Sequence, residues 1–361
     1  MAIFERTSPE SCGIDSSSIP LFIQRLKEAC PNQETHHFML VRHGKVVSEA
    51  TWAPYQKDGR HVLYSVSKAF TSTAIGFLVS DGKLTVSDKI LDYFPEYREI
   101  AAPGTETLTV RHLLCMATGQ ITKSEVHVVN RQWETINDPL EKFFATPCTL
   151  PPGTEFHYDG AASYALSRLV TKISGQQLDQ FLQERLLNKL GIRPPFFERC
   201  SKGYCLGYSG MMVSIEEMAA LGQFYLQKGN WKGEQLLPES WIKEASTFQI
   251  STEHVTTGPD WNQGYCYHFW RGRHDTFRFC GAYGQMCVIM PQFDALFLVQ
   301  SAFDNDQLYQ ILDAFYSTIF QAFSSAPLPE NAEAQQKTKN VLSSLCLPKN
   351  HKPLEDWQKI E

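Results

Sequence analysis

The sequence has no stretch of about 18 consecutive apolar residues, so no membrane-spanning helix is expected. It also has no cluster of basic residues longer than a few positions. With a formal charge of −6, neither nucleic acid nor an anionic membrane is an expected partner. The opening Met1-Ala2-Ile3-Phe4-Glu5-Arg6 shows no basic segment followed by an apolar one, which argues against an export signal. Cys-x-x-Cys and His-Glu-x-x-His are both absent. His36 and His37 are adjacent in a predicted strand and should face opposite ways, so no metal site is expected. The 10 cysteines are scattered from Cys12 to Cys346. Without an export signal they read as free thiols, and the expected location is the cytoplasm. There is no internal repeat and no low-complexity tract.

What is present is ordinary for a globular enzyme: 361 residues, 20% charged and 43% hydrophobic. That length can bury a large core in one large domain or two intermixed ones. Residues 17–30 read as an amphipathic helix with Ile19, Phe22, Ile23 and Leu26 on one face. Two strands, 37–42 and 45–50, meet at His43-Gly44, a hairpin signal. From about 85 to 258 the pattern is mainly helical, clearest at 139–144, 162–174, 177–190 and 215–228. Gly175, Gly191 and Gly229 stand where left-handed helix caps are wanted. Strands return at 263–270, 276–281, 285–290 and 295–301, and a helix over 307–323 closes the unit. Strands at both ends of a helical middle predict an α+β fold, with the ends joined in one antiparallel sheet and residues 85–258 forming a second, helical lobe. A cleft between such lobes is a common ligand site. The expected catalytic unit is thus 1–323. Residues 324–361 form a tail, partly helical or disordered, with an apolar patch at 341–347.

The candidate chemistry starts at Ser65-Val66-Ser67-Lys68, which opens a strongly helical run to Ser80. Residues three apart on a helix share a face, so the Lys68 amine should stand one turn from the Ser65 hydroxyl. A serine hydroxyl is a poor nucleophile until a base takes its proton. A lysine kept neutral by burial can act as that base. Ser80-Asp81-Gly82-Lys83 and Ser240-Trp241-Ile242-Lys243 match the same four-residue pattern. The first is broken by the Gly82 turn. The second is an ordinary helix start, with Ser240 in a capping or first-turn position.

Three segments then come in order: Ser65 to Ser72, Asp81 to Ile90, and Leu108-Thr109-Val110-Arg111-His112-Leu113-Leu114-Cys115-Met116-Ala117-Thr118-Gly119. Together they resemble the serine β-lactamase and penicillin-binding-protein superfamily, in the branch with class C β-lactamases, family VIII esterases and 6-aminohexanoate-dimer hydrolases. The resemblance runs from about Ser8 to Phe323. It implies a β-lactamase/DD-peptidase-like fold, an acyl-enzyme mechanism at Ser65 with Lys68, and no cofactor. Pro151-Pro152-Gly153-Thr154-Glu155-Phe156-His157-Tyr158-Asp159-Gly160 resembles the family segment that ends in Tyr-x-Asn. Tyr158 matches the tyrosine, which the resemblance makes the general base and then acid, its pKa lowered from near 10 by cationic neighbours. Gly160 stands where relatives often carry the asparagine that orients a substrate amide.

The family's Lys-Thr-Gly strand is matched here by Phe279-Cys280-Gly281, then Ala282-Tyr283-Gly284-Gln285. The resemblance implies an oxyanion hole from the Ser65 and Ala282 amides, close backbone approach at Gly281, and substrate contacts at Gly160, Phe279, Gly281, Tyr283 and Gln285. Phe279 replaces the cation that would hold a substrate carboxylate. Arg273 and His274 lie near enough in sequence to substitute from a loop. These departures favour a small ester or amide as substrate. A β-lactamase or D-alanyl-D-alanine peptidase is the nearest rival, and a non-catalytic binding protein on the same fold is the third reading. The oligomeric state is left open.

Overall fold

The computed structural model describes residues 2–121, 137–254 and 258–347. Parts of the expected helical lobe (122–136 and 255–257) and the end of the expected tail (348–361) lie outside the described residues.

The centre is a seven-stranded sheet. Its strands are β1 (Glu5–Arg6), β2 (Glu34–Arg42), β3 (Lys45–Thr51), β4 (Trp270–Arg271), β5 (Phe277–Gly281), β6 (Gln285–Met290) and β7 (Ala295–Ala302). The spatial order is β1-β3-β2-β7-β6-β5-β4. N- and C-terminal strands meet at the β2–β7 pair, with Leu40 opposite Phe297 and Phe38 opposite Val299. The sheet is antiparallel as expected, apart from the short edge strand β1, which pairs with β3 in parallel. A crossover long enough for a parallel pair exists there, because α1 (Ser18–Ala29) and β2 intervene.

The sheet is covered on both faces, which explains why its strands are buried almost throughout. On one face Phe22 of α1 packs against Phe38 and Phe297 at 5.4 Å each. Phe315 stacks on Phe297 at 4.1 Å. On the other face lies α4 (Ile215–Leu226), where Gly222 sits so close to Cys287 that an added Cβ would come within 2.7 Å of its Sγ. α4 thus packs directly on the sheet although it falls within 85–258.

Next to it runs α2 (Ser67–Ser80), buried from Ser67 to Leu78. Its small hydroxyl side chains are hydrogen-bonded rather than left orphaned. Thr71 Oγ1 donates to the Gly207 carbonyl at 2.6 Å, and Ser72 Oγ to the Tyr267 carbonyl at 2.8 Å. α3 (Gly160–Ser174) packs on α2, and Asp159 caps its start by accepting from the Ala161 amide at 2.8 Å. Gly175 ends it at φ 74°.

Two sequence expectations change at their ends. Residues 263–270 form no continuous strand, because Gly264 (φ 99°) and His268 (φ 68°) leave the extended region and only Trp270–Arg271 joins the sheet. The closing helix stops at Ser317 (α5, Leu308–Ser317) and a 3₁₀ turn, Ile319–Ala322, follows. Beyond it α6 (Ala332–Ser343) lies against α1, with Thr338 Oγ1 donating to the Ser16 carbonyl at 2.9 Å. A groove of about 1160 Å³ runs between α1 and α6, and Ser65, Lys68 and Tyr158 do not line it.

Candidate active site

Ser65 sits in a 3₁₀ turn, Tyr64–Val66, that leads directly into α2. Side chains three apart in such a turn eclipse one another. Accordingly Lys68 Nζ lies 3.0 Å from Ser65 Oγ. The amine also donates to the Tyr208 carbonyl at 3.1 Å. It stands over the Tyr158 ring, 4.8 Å from its centroid, and 5.6 Å from that of Tyr208. Lys68 is only 2% exposed, whereas Ser65 is partly open to solvent. Burial pushes the Lys68 amine down to about 7, against a smaller upward pull from Asp159.

Tyr158 behaves in the opposite way. Burial raises its phenol well above the ordinary value, and its hydrogen bond with Ser65 lowers it only in part. The expected depression of Tyr158 is therefore corrected. The cation meant to lower it is itself near neutrality, and the ring is enclosed by Phe156, Tyr265 and Trp270. The loop bearing Tyr158 rests on the Leu108–Gly119 segment. The His157 amide donates to the Met116 carbonyl at 2.7 Å, and the Gly153 amide to that of Ala117 at 2.7 Å.

The third element is brought to the Ser65 turn by its glycine. A Cβ on Gly281 would lie 2.3 Å from the Leu63 carbonyl oxygen and 3.3 Å from the Ser65 nitrogen, so only glycine lets the end of β5 approach this closely. Phe279 belongs to the same strand but not to the cleft. It is 1% exposed and packs on Phe269 and Tyr225, at 5.2 and 5.8 Å. Period-two alternation puts it on the α4 face, under Gly281.

Gln285 is also interior, its Nε2 donating to the Ser301 carbonyl at 2.7 Å. Gly160 is buried as the first residue of α3. Of the expected substrate contacts, Tyr283 is the exposed one, at 36%. The loop cations do not replace the missing lysine. Arg273 is tied to Asp260 at 2.9 Å and Asp313 at 2.6 Å, and His274 lies against Tyr316 and Phe320. Arg278 is buried, donating to the Asp260 carbonyl at 2.6 Å.

Three neighbours of the site carry no motif signal. Tyr208 supplies the carbonyl for Lys68, and only the flanking Gly207 and Gly210, both at positive φ, hint at its special backbone. Trp270 stacks on Tyr158 at 5.7 Å and 23°. His268 is buried, its Nε2 3.1 Å from Ser163 Oγ; burial, then Lys68, pushes it down to about 3. Among the described residues no group of three or more His, Cys, Asp or Glu side chains is placed to hold a metal ion, and no helix is long and apolar enough to cross a membrane.

The profile of the family described as Beta-lactamase matches residues 35–305, a span that includes Ser65, Lys68, Tyr158 and Gly281 and all of the sheet but β1 and the first residue of β2. The chain belongs to the Beta-lactamase family. Among curated family relatives, the 6-aminohexanoate-dimer hydrolase of Paenarthrobacter ureafaciens is 24% identical over 309 residues, covering 80% of this chain and 77% of its own. Two solved structures share the β-lactamase fold. EstCE1, a hydrolase with promiscuous acyltransferase activity, superimposes with a TM-score of 0.67 at 18% identity, over 83% of this chain and 99% of its own. A penicillin-binding-protein homologue from Caulobacter crescentus gives 0.67 at 16% identity, over 83% and 97%.

Proposed function

We propose that this β-lactamase-fold hydrolase cleaves a small carboxylic ester or amide through an acyl-enzyme on Ser65. The observation that carries this reading is the buried Lys68 amine, its pKa lowered to about 7, 3.0 Å from the hydroxyl of the half-buried Ser65. The names of its relatives, an amide-dimer hydrolase and EstCE1, support the same class.

In the first step Lys68 takes the Ser65 proton as Oγ attacks the carbonyl carbon. The carbonyl oxygen, now negative, accepts hydrogen bonds from the Ser65 and Ala282 amides, donors each worth roughly 3 to 4 kcal/mol in comparable sites. Tyr158, a neutral phenol, gives its proton to the departing oxygen or nitrogen, and the Lys68 ammonium beside its ring stabilises the phenolate left behind. Water then attacks the acyl carbonyl carbon and gives its proton to the Tyr158 phenolate; the bond to Ser65 Oγ breaks, Oγ takes back the Lys68 ammonium proton, and the acid leaves with both groups restored. This reverses the order expected from resemblance, since Lys68 rather than Tyr158 is the group poised to accept first.

Intact-mass measurement after exposure to a fluorophosphonate tests the reading. A single adduct, lost in Ser65→Ala and kept in Ser240→Ala, is expected. An undiminished adduct in Ser65→Ala would refute the nucleophile.

A further inference from the structure

Two tyrosines that flank the proposed oxyanion amides hold left-handed backbone conformations: Tyr64 at φ 46° and Tyr283 at φ 61°. Such a conformation is uncommon for a bulky side chain and persists only where neighbours enforce it. At Tyr283 the enforcement is visible. Its amide donates to Asn305 Oδ1 at 2.9 Å, and its carbonyl accepts from the Phe303 amide at 3.0 Å and from Ser301 Oγ at 2.9 Å. The effect is to aim the two rings at each other. Their centroids are 5.0 Å apart at 57°, and among the described residues neither ring has another aromatic neighbour. Tyr64 immediately precedes Ser65 and Tyr283 immediately follows Ala282, so the pair brackets both amides assigned to the oxyanion hole.

We propose that Tyr64 and Tyr283 form the acyl-group subsite, and that the acyl group it takes is uncharged and aromatic. The inference rests on the acyl-enzyme reading above. A leaving group must face the Tyr158 hydroxyl, whose ring neighbours are Phe156, Tyr265 and Trp270. The Tyr64–Tyr283 pair shares none of those rings. The acyl substituent, leaving the carbonyl carbon on the other side, therefore meets the tyrosine pair. Two tilted rings offer a flat group one stacked and one edge contact, the preferred arrangements for aromatic neighbours. An acetyl group is too small to span them.

The test compares kcat/KM for p-nitrophenyl phenylacetate and p-nitrophenyl acetate in the wild type, Tyr283→Gly and Tyr283→Phe. The wild type is expected to favour the aromatic acyl group by about tenfold or more. Tyr283→Gly should lower that ratio by about tenfold, and Tyr283→Phe should keep it within about twofold, because the ring and not the hydroxyl stacks. Glycine suits φ 61°, so the glycine variant should melt no lower than the wild type, which separates lost stacking from lost folding. A ratio unchanged in Tyr283→Gly, equal losses in the Phe and Gly variants, or a wild type that prefers acetate would overturn the subsite. If the wild type takes no fluorophosphonate label and turns over neither ester, the serine-hydrolase reading itself fails and the subsite falls with it.

Discussion

At the residue scale, the decisive property is the contrast between two buried groups. Burial lowers the Lys68 amine to about 7 and raises the Tyr158 phenol, which suits the proposed roles of base and acid. Base catalysis needs the neutral amine. The rate kcat/KM should therefore rise with pH through about 7, where Lys68 gives up its proton, and level off above it. A profile flat from pH 5 to 9 would contradict that assignment. Tyr158→Phe removes the proton donor but leaves the amine in place. It should lower kcat by roughly 10²- to 10⁴-fold, with less effect on the formation of a fluorophosphonate adduct, whose fluoride needs no proton to leave.

At the element scale, the site depends on one strand end touching one turn. Gly281 closes β5 against Leu63 and Ser65. Gly281→Ala puts a methyl 2.3 Å from the Leu63 carbonyl oxygen, and the nucleophile turn must shift to admit it. A displacement near 1 Å costs about 10²-fold in rate. Gly281→Ala is thus expected to lose about that much in kcat/KM while its far-ultraviolet circular dichroism stays that of the wild type.

A second element carries acid sensitivity. On β2, His37 lies 5.0 Å from His61, ring to ring, and its Nδ1 is 3.1 Å from Thr51 Oγ1. His36 stacks on Tyr55 at 4.0 Å, lies 5.0 Å from His61, and sits 3.4 Å from Glu34. Burial, with His61 adding for His37, pushes His37 and His61 down to about 4. Unfolded histidine binds a proton near 6.5, so the unfolded chain takes up protons first as pH falls. The contribution of these histidines to stability should be constant above about 6.5 and fall between 6.5 and 4, by on the order of 3 kcal/mol from His37 alone. His37→Gln should flatten that decline in a series of melting curves.

At the scale of the whole molecule, the distribution of charge bears on the proposed substrate class. The cations nearest the third element are spent elsewhere: Arg273 on Asp260 and Asp313, Arg278 on backbone carbonyls inside the fold. Phe279 fills core space where relatives carry a cation. A β-lactam carboxylate entering this cleft would lose water without gaining either arginine as a partner. Turnover of p-nitrophenyl butyrate should therefore exceed that of nitrocefin in kcat/KM. The reverse order would favour the β-lactamase reading.

Much of this was legible in sequence because it is local. Ser65 and Lys68 are three residues apart, so helical geometry alone brings them together. The hairpin at His43-Gly44, the helix at 139–144 and the strand at 285–290 follow from periodicity and turn chemistry over short windows. Family resemblance added Tyr158 and Gly281, whose motifs survive in order along the chain. What only the tertiary structure decided is whatever depends on burial or on strands distant in sequence. The β5–β6 register places Phe279 opposite Cys287, and its packing on Tyr225 of α4 then makes it core rather than cleft. No window around Tyr158 reveals that Trp270 and Tyr265 will enclose it and raise its pKa. The desolvation that readies Lys68 comes from Tyr208, Tyr158 and the helices around α2, assembled from 140 residues away. Spacing along the chain placed Lys68 beside Ser65, and low-dielectric enclosure by remote segments moved the Lys68 and Tyr158 pKa values in opposite directions.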